Sequence, residues 1–126
     1  MALFLISLIC IMNKKAAYII FIIATVFALI AALYHVAAFV QVIDETPLWR
    51  HALFIGICTI CIYGLLKRPK WFLWFFGILM IQQLYSHGSH LLLLLKENKF
   101  NPVDAVIVFL MPLVFILLLK EQKTTI

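Results

Sequence analysis

Charge is what this sequence has least of. Only 12% of its 126 residues are charged, against 67% hydrophobic, where a globular protein is about one-quarter charged and roughly half apolar. That shortage excludes an ordinary soluble domain, and the length leaves no room for a soluble catalytic domain beside the apolar runs. Glycine is scarce as well. Gly56, Gly64 and Gly77 lie too far apart to form the GxxxG spacing of close helix dimers.

Chemistry-bearing motifs are also missing. There is no Ser-His-Asp order, phosphate-binding glycine loop, nucleic-acid motif or paired-carboxylate site. The net charge of +5 does not imply a nucleic-acid partner, because the cations flank apolar runs and form no patch. Cysteine is limited to Cys10, Cys58 and Cys61. Cys58 and Cys61 have the redox spacing, but a reactive thiol needs a positive or polar neighbour. These sulfurs sit among Ile, Leu and Tyr with no second pair to relay electrons, so they read as buried apolar side chains.

What is present is apolar length. Four segments can each cross a ~30 Å hydrocarbon layer, which takes about 20 apolar residues in a helix. They run over 16–42, 48–66, 71–95 and 103–119, and backbone in lipid must satisfy its own hydrogen bonds, so each is a helix. The expected fold is all-α: an integral membrane four-helix bundle, up-down-up-down, as a single transmembrane domain over 1–126. Met12-Asn13-Lys14-Lys15 reads as the start of an anchored helix. The short apolar stretch 1–12 either precedes the functional start at Met12 or lies along the interface.

Punctuation supports these limits. Thr46-Pro47 reads as an N-cap followed by proline at the first helical position, and Asn101-Pro102 repeats the device. Asp104 follows in the first turn, where it favours the positive end of the helix dipole. Pro112 predicts a kink in the fourth helix.

Orientation follows from the cations. Lys14, Lys15, Lys67, Arg68, Lys70, Lys120 and Lys123 collect on one side, against Arg50, Lys96 and Lys99 on the other. The positive-inside rule then puts both termini in the cytoplasm of a multi-pass protein of a plasma or bacterial inner membrane. The 44–49 and 96–101 connections face outward.

The candidate site is built from histidine. His35, His51, His87 and His90 come from three segments, yet all fall in the outward half by a rise of ~1.5 Å per residue. An ionisable residue in a span usually marks a functional site. His35 shares a stripe with Ala24, Ala28, Ala31 and Ala38, and His87 and His90 share one with Phe76, Met80 and Gln83. These positions predict an outward-facing pocket where the imidazoles converge.

The expected occupant is a transition metal, zinc or copper, on His35, His87 and His90 with His51 as a fourth ligand. Asp104 or Glu45 would add oxygen. A haem b between two histidines is the next reading. Gln83 and Tyr34 would stand behind the ligands and orient them, and Arg50 would attract an anionic partner. Three readings compete with a cofactor: a small proton-coupled transporter, a membrane enzyme using the same histidines, and a cofactor-free accessory subunit of a larger complex. Expected partners are the lipid bilayer and membrane proteins or further copies of the chain.

Overall fold

The computed structural model describes residues 12–41 and 44–124. Among them the chain forms four helices and no strand: α1 Lys14–Gln41, α2 Leu48–Lys67, α3 Lys70–Lys96 and α4 Pro102–Thr124. The stretch 1–11, which holds Cys10 and most of the short N-terminal apolar segment, lies outside the described residues. Three helices are long and apolar enough to cross a membrane: α1, α2 and α4. The third segment differs from expectation. It makes a helix of 27 residues, but Gln82-Gln83 and the run Ser86-His87-Gly88-Ser89-His90 dilute its hydropathy below that of its neighbours.

Helix ends follow local chemistry. Asn13 Oδ1 accepts the Ala16 N–H at 2.8 Å, which caps α1 and leaves Lys14 and Lys15 in its first turn. Asn101 Oδ1 accepts the Val103 N–H at 2.9 Å, so Asn101 caps α4 with Pro102 first in the helix. The Thr46 expectation fails. Pro47 occupies the cap position of α2 with no side-chain bond, and the Thr46 N–H is turned back to Asp44 Oδ1 at 2.8 Å. Arg68 closes α2 in the left-handed conformation, its N–H bonded to the Gly64 carbonyl, and Pro69 follows. Pro112 lies within a continuous α4.

The chain divides into two compact units, Tyr18–Arg68 and a second centred on Pro69–Ile126. In the first, contacts join α1 to α2 at both ends of the pair. His35 meets His51 and Phe54, and Arg68 lies over the Phe21 ring at 5.1 Å. Phe21, Ala24, Ala38, Cys58, Cys61 and Leu65 are buried. Ala28, Ala31 and His35 are half-buried on the same stripe as Ala24 and Ala38, while Ile30, Leu33 and Val40 around it stay exposed.

In the second unit α3 and α4 pack closely in antiparallel order, Lys70 opposite Gln122 and Gly88 opposite Val108. Phe72, Phe76, Val114, Leu117 and Leu118 are buried. Outside these cores many large apolar residues are exposed, Trp74, Ile78, Tyr85 and Leu92 among them. Soluble monomers rarely expose apolar surface on this scale. A surface of that kind matches hydrocarbon.

Of the two α3 glycines facing α4, Gly77 makes the closer approach. A Cβ added there would meet the Phe115 ring at 3.1 Å, whereas one at Gly88 meets Val108 at an ordinary 3.9 Å. Gly77→Ala is therefore expected to be less stable than Gly88→Ala by about 1 kcal/mol, because only at Gly77 does the new methyl press on a ring. Gly88→Ala should be neutral or mildly stabilising, because alanine is the better helix former. Unfolding midpoints in a denaturing detergent titration check the pair.

Candidate functional site

Each unit groups an aspartate with two imidazoles near its connecting loop. In the second unit, Asp104 sits in the first turn of α4, with its side chain only 5% exposed. Its Oδ1 lies 2.6 Å from His87 Nδ1 and its Oδ2 lies 2.6 Å from His90 Nδ1. The i, i+3 spacing sets both rings on one face of α3. The carboxylate bridges them. A buried carboxylate unmatched by hydrogen bonds is expensive, and here both oxygens are engaged. With the carboxylate ionised it can only accept, so each Nδ1 donates and each Nε2 carries the lone pair.

The first unit builds a chain instead of a bridge. Asp44 lies in the loop between α1 and α2. Its Oδ2 accepts the Tyr34 hydroxyl at 2.6 Å, and its Oδ1 accepts the Thr46 N–H at 2.8 Å. His51 Nε2 lies 3.0 Å from the same Oδ1. The other nitrogen of His51, Nδ1, lies 3.0 Å from His35 Nδ1. His51 is 2% exposed, and Phe54 stacks on the His35 ring at 4.9 Å. The Asp44–Thr46 bond spans two residues, the short-range turn that aspartate favours.

Asp44 is held well below the usual carboxylate range, first by the Tyr34 hydroxyl and then by the Thr46 N–H. A depressed folded-state value makes its stabilisation complete above the unfolded value of about 4. That contribution is lost only as pH falls through the depressed value. The destabilisation caused by Asp44→Asn should accordingly be full at pH 7 and shrink only below about pH 4. Thermal unfolding of wild type and variant across that range checks it.

These placements revise several expectations. The structure joins His35 to His51 within one unit, and His87 to His90 within the other. Among the described residues, no group of three or more His, Cys, Asp or Glu side chains is arranged to hold a metal ion. His51 in particular uses both ring nitrogens on protein partners, so it has no lone pair left for a metal. Gln83 does not orient His87, because its amide donates to Gln82 Oε1 at 2.6 Å. Asp104 performs that task, a closer partner than the cap or oxygen ligand suggested by its position. Tyr34 lies against the imidazoles, its ring 5.3 Å from that of His35, but its hydroxyl serves Asp44. Arg50 and Glu45 are exposed at the start of α2 and in the loop before it.

Asp44 is the participant that sequence reasoning missed; it lies in the 44–49 connection, which was read only for its orientation. The available signal was an aspartate two residues before Thr46 and seven before His51. An open apolar face of α4, lined by Ala105, Val106, Phe109, Leu110 and Leu113, offers no ionisable group. Comparison with protein-family models, curated proteins and solved structures found no match.

Proposed function

We propose that this chain is a four-span membrane protein with an acid–base function. Its two helical hairpins each carry a carboxylate–imidazole centre near the outward ends of the spans. There the centres bind and exchange protons with a ligand or substrate that arrives from that side. The observation that carries the reading is Asp104. It is an aspartate inside an apolar helix, 3% exposed, with an imidazole nitrogen 2.6 Å from each oxygen. Such residues in spans typically belong to proton relays or ligand sites.

Charge counting explains why two imidazoles help. With the carboxylate ionised, the cluster carries −1, 0 or +1 as it holds no, one or two extra protons. The neutral member is cheapest to keep out of water. One proton can thus be gained or lost without leaving more than a single net charge. The cationic flanks of the spans orient the chain with both termini in the cytoplasm and the 44–49 and 96–101 connections outside. The third span crosses despite its polar run, because that run is the site.

The test is difference infrared spectroscopy on protein in lipid nanodiscs, acid minus alkaline. Imidazole and carboxylate bands should appear together, and Asp104→Asn should remove the share that Asp104, His87 and His90 contribute. Imidazole bands of His87 and His90 unaltered by Asp104→Asn would contradict the reading.

One observation favours a second reading, a transition metal or haem b held through Nε2. A metal-bound histidine usually gives its other ring N–H to a carboxylate, as His87 and His90 are arranged to do. Those two share one helix face, so they cannot flank a single haem, and further ligands would have to be recruited. Elemental analysis and a visible spectrum of the purified protein separate the readings. The acid–base reading predicts no stoichiometric zinc or copper and no Soret band; either one would replace it.

A further inference from the structure

We propose that His35, His51 and Asp44 form a proton relay that connects a point inside the first span to its outer loop. It rests on the acid–base reading and adds to it a path with defined ends. The geometry is a continuous series of donors and acceptors within one hairpin. His35 Nδ1 faces His51 Nδ1 at 3.0 Å, and His51 Nε2 faces Asp44 Oδ1 at 3.0 Å.

The tautomers follow from one end. An ionised Asp44 is an acceptor only, so His51 donates from Nε2. Neutral His51 then has its lone pair on Nδ1, which must accept from His35 Nδ1–H. His35 in turn is left with its lone pair on Nε2. Every proton position in the chain is therefore set by the carboxylate in the loop.

Transfer is a shift of three protons. A proton from a ligand or water bonds to His35 Nε2. The Nδ1–H bond of His35 breaks as that proton joins His51 Nδ1. The Nε2–H bond of His51 breaks as its proton joins Asp44 Oδ1. Three bonds to hydrogen form, two within the chain break, and the third is the one that delivered the incoming proton. Charge entering at His35 leaves at Asp44, and both imidazoles end neutral. The same steps reversed carry a proton from the loop to His35. That is the favoured direction, because Tyr34 and Thr46 hold Asp44 as a carboxylate. The chain thus equilibrates His35 with the loop.

The surroundings suit this task. His51, the middle member, is 2% exposed and cannot exchange readily with water on its own. Asp44, the outer member, has a side chain 31% exposed and can. Tyr34 holds the carboxylate through Oδ2, and the Thr46 N–H holds it through Oδ1, the oxygen that also faces His51. Phe54 covers one face of His35, and His35 lies six residues before the end of α1, about 9 Å along the helix.

Nitrogen-15 magnetic resonance on histidine-labelled protein in lipid bilayers tests the relay. Expected are a lone pair on His51 Nδ1, a proton on His35 Nδ1, and a spin coupling between those two nitrogens across the hydrogen bond. Exchange of the His35 ring protons with water should slow at least tenfold in His51→Phe. Asp44→Asn, which alters only a loop residue and preserves its shape, should slow it to a similar degree. A lone pair on His35 Nδ1, no coupling, or unchanged exchange in a folded Asp44→Asn protein would overturn the relay. The infrared bands of the Asp104 centre should be the same in wild type and both variants. The relay can therefore fail while the acid–base reading stands.

Discussion

Asp104→Ala should destabilise the protein by about 3 kcal/mol, the low end of the cost of breaking a buried charge pair. The substitution removes the acceptor of both imidazoles at once, and neither His87 nor His90 has another side-chain partner among the described residues. Both ring N–H groups then lose their acceptor, a cost that falls mainly on His87, because the His90 side chain is 52% exposed. The control is complete replacement. Asp104→Leu combined with His87→Leu and His90→Phe should recover most of the stability, because well-packed apolar groups often equal or exceed a buried ionic cluster. That variant should lose the infrared bands of Asp104, His87 and His90, while those of the first hairpin remain. Detergent-denaturation midpoints for the single and triple variants measure the first effect. A cluster kept for function is the kind that stability alone does not require.

His51→Ala is expected to have the next largest effect, about 2–3 kcal/mol. Its ring is 2% exposed and bonds through both nitrogens. Truncation opens a cavity, leaves the His35 Nδ1–H without its acceptor and takes one donor from Asp44. His35→Ala should cost less, since that ring is half-buried and ends the chain. The double variant should fall short of the sum by about 1 kcal/mol, the coupling typical of residues in one hydrogen-bonded network. Equilibrium unfolding of the two single variants and the double variant gives that number directly. Strict additivity would mean the two imidazoles do not act together.

Much of the architecture was legible from residues alone because apolar length and helix punctuation are local. Asn13 and Asn101 cap their helices through their own side chains, and Pro102 needs only its fixed backbone angle to start one. The alanine stripe of α1 was readable for the same reason, as 3.6-residue periodicity does not depend on what packs against it. Thr46 misled because two residues compete for the same task. Asp44 captures the Thr46 N–H, and α2 then starts without a side-chain cap.

The site was legible only as a set of histidines. Depth along each helix showed that His35, His87 and His90 belong near the loop ends, but it carries no information about which ring meets which acid. Pairing depends on rotation of helix faces and on loop conformation, which are tertiary properties. Asp104 illustrates the difference. One turn into an apolar helix, it satisfies the dipole rule fully, and that local explanation concealed its two long-range partners. Gln83 shows the converse. It is well spaced to reach His87, yet its amide is taken by the neighbouring Gln82.

The central claim is that a single buried carboxylate fixes both imidazoles of α3 by the same nitrogen. Nitrogen-15 spectra of histidine-labelled protein in bilayers, recorded for wild type and Asp104→Asn, test it most directly. The account predicts that His87 and His90, when neutral, both carry their proton on Nδ1 in strong hydrogen bonds, with lone pairs on Nε2. It predicts that both signals change together in Asp104→Asn. Lone pairs on Nδ1, or rings indifferent to the loss of Asp104, would contradict it.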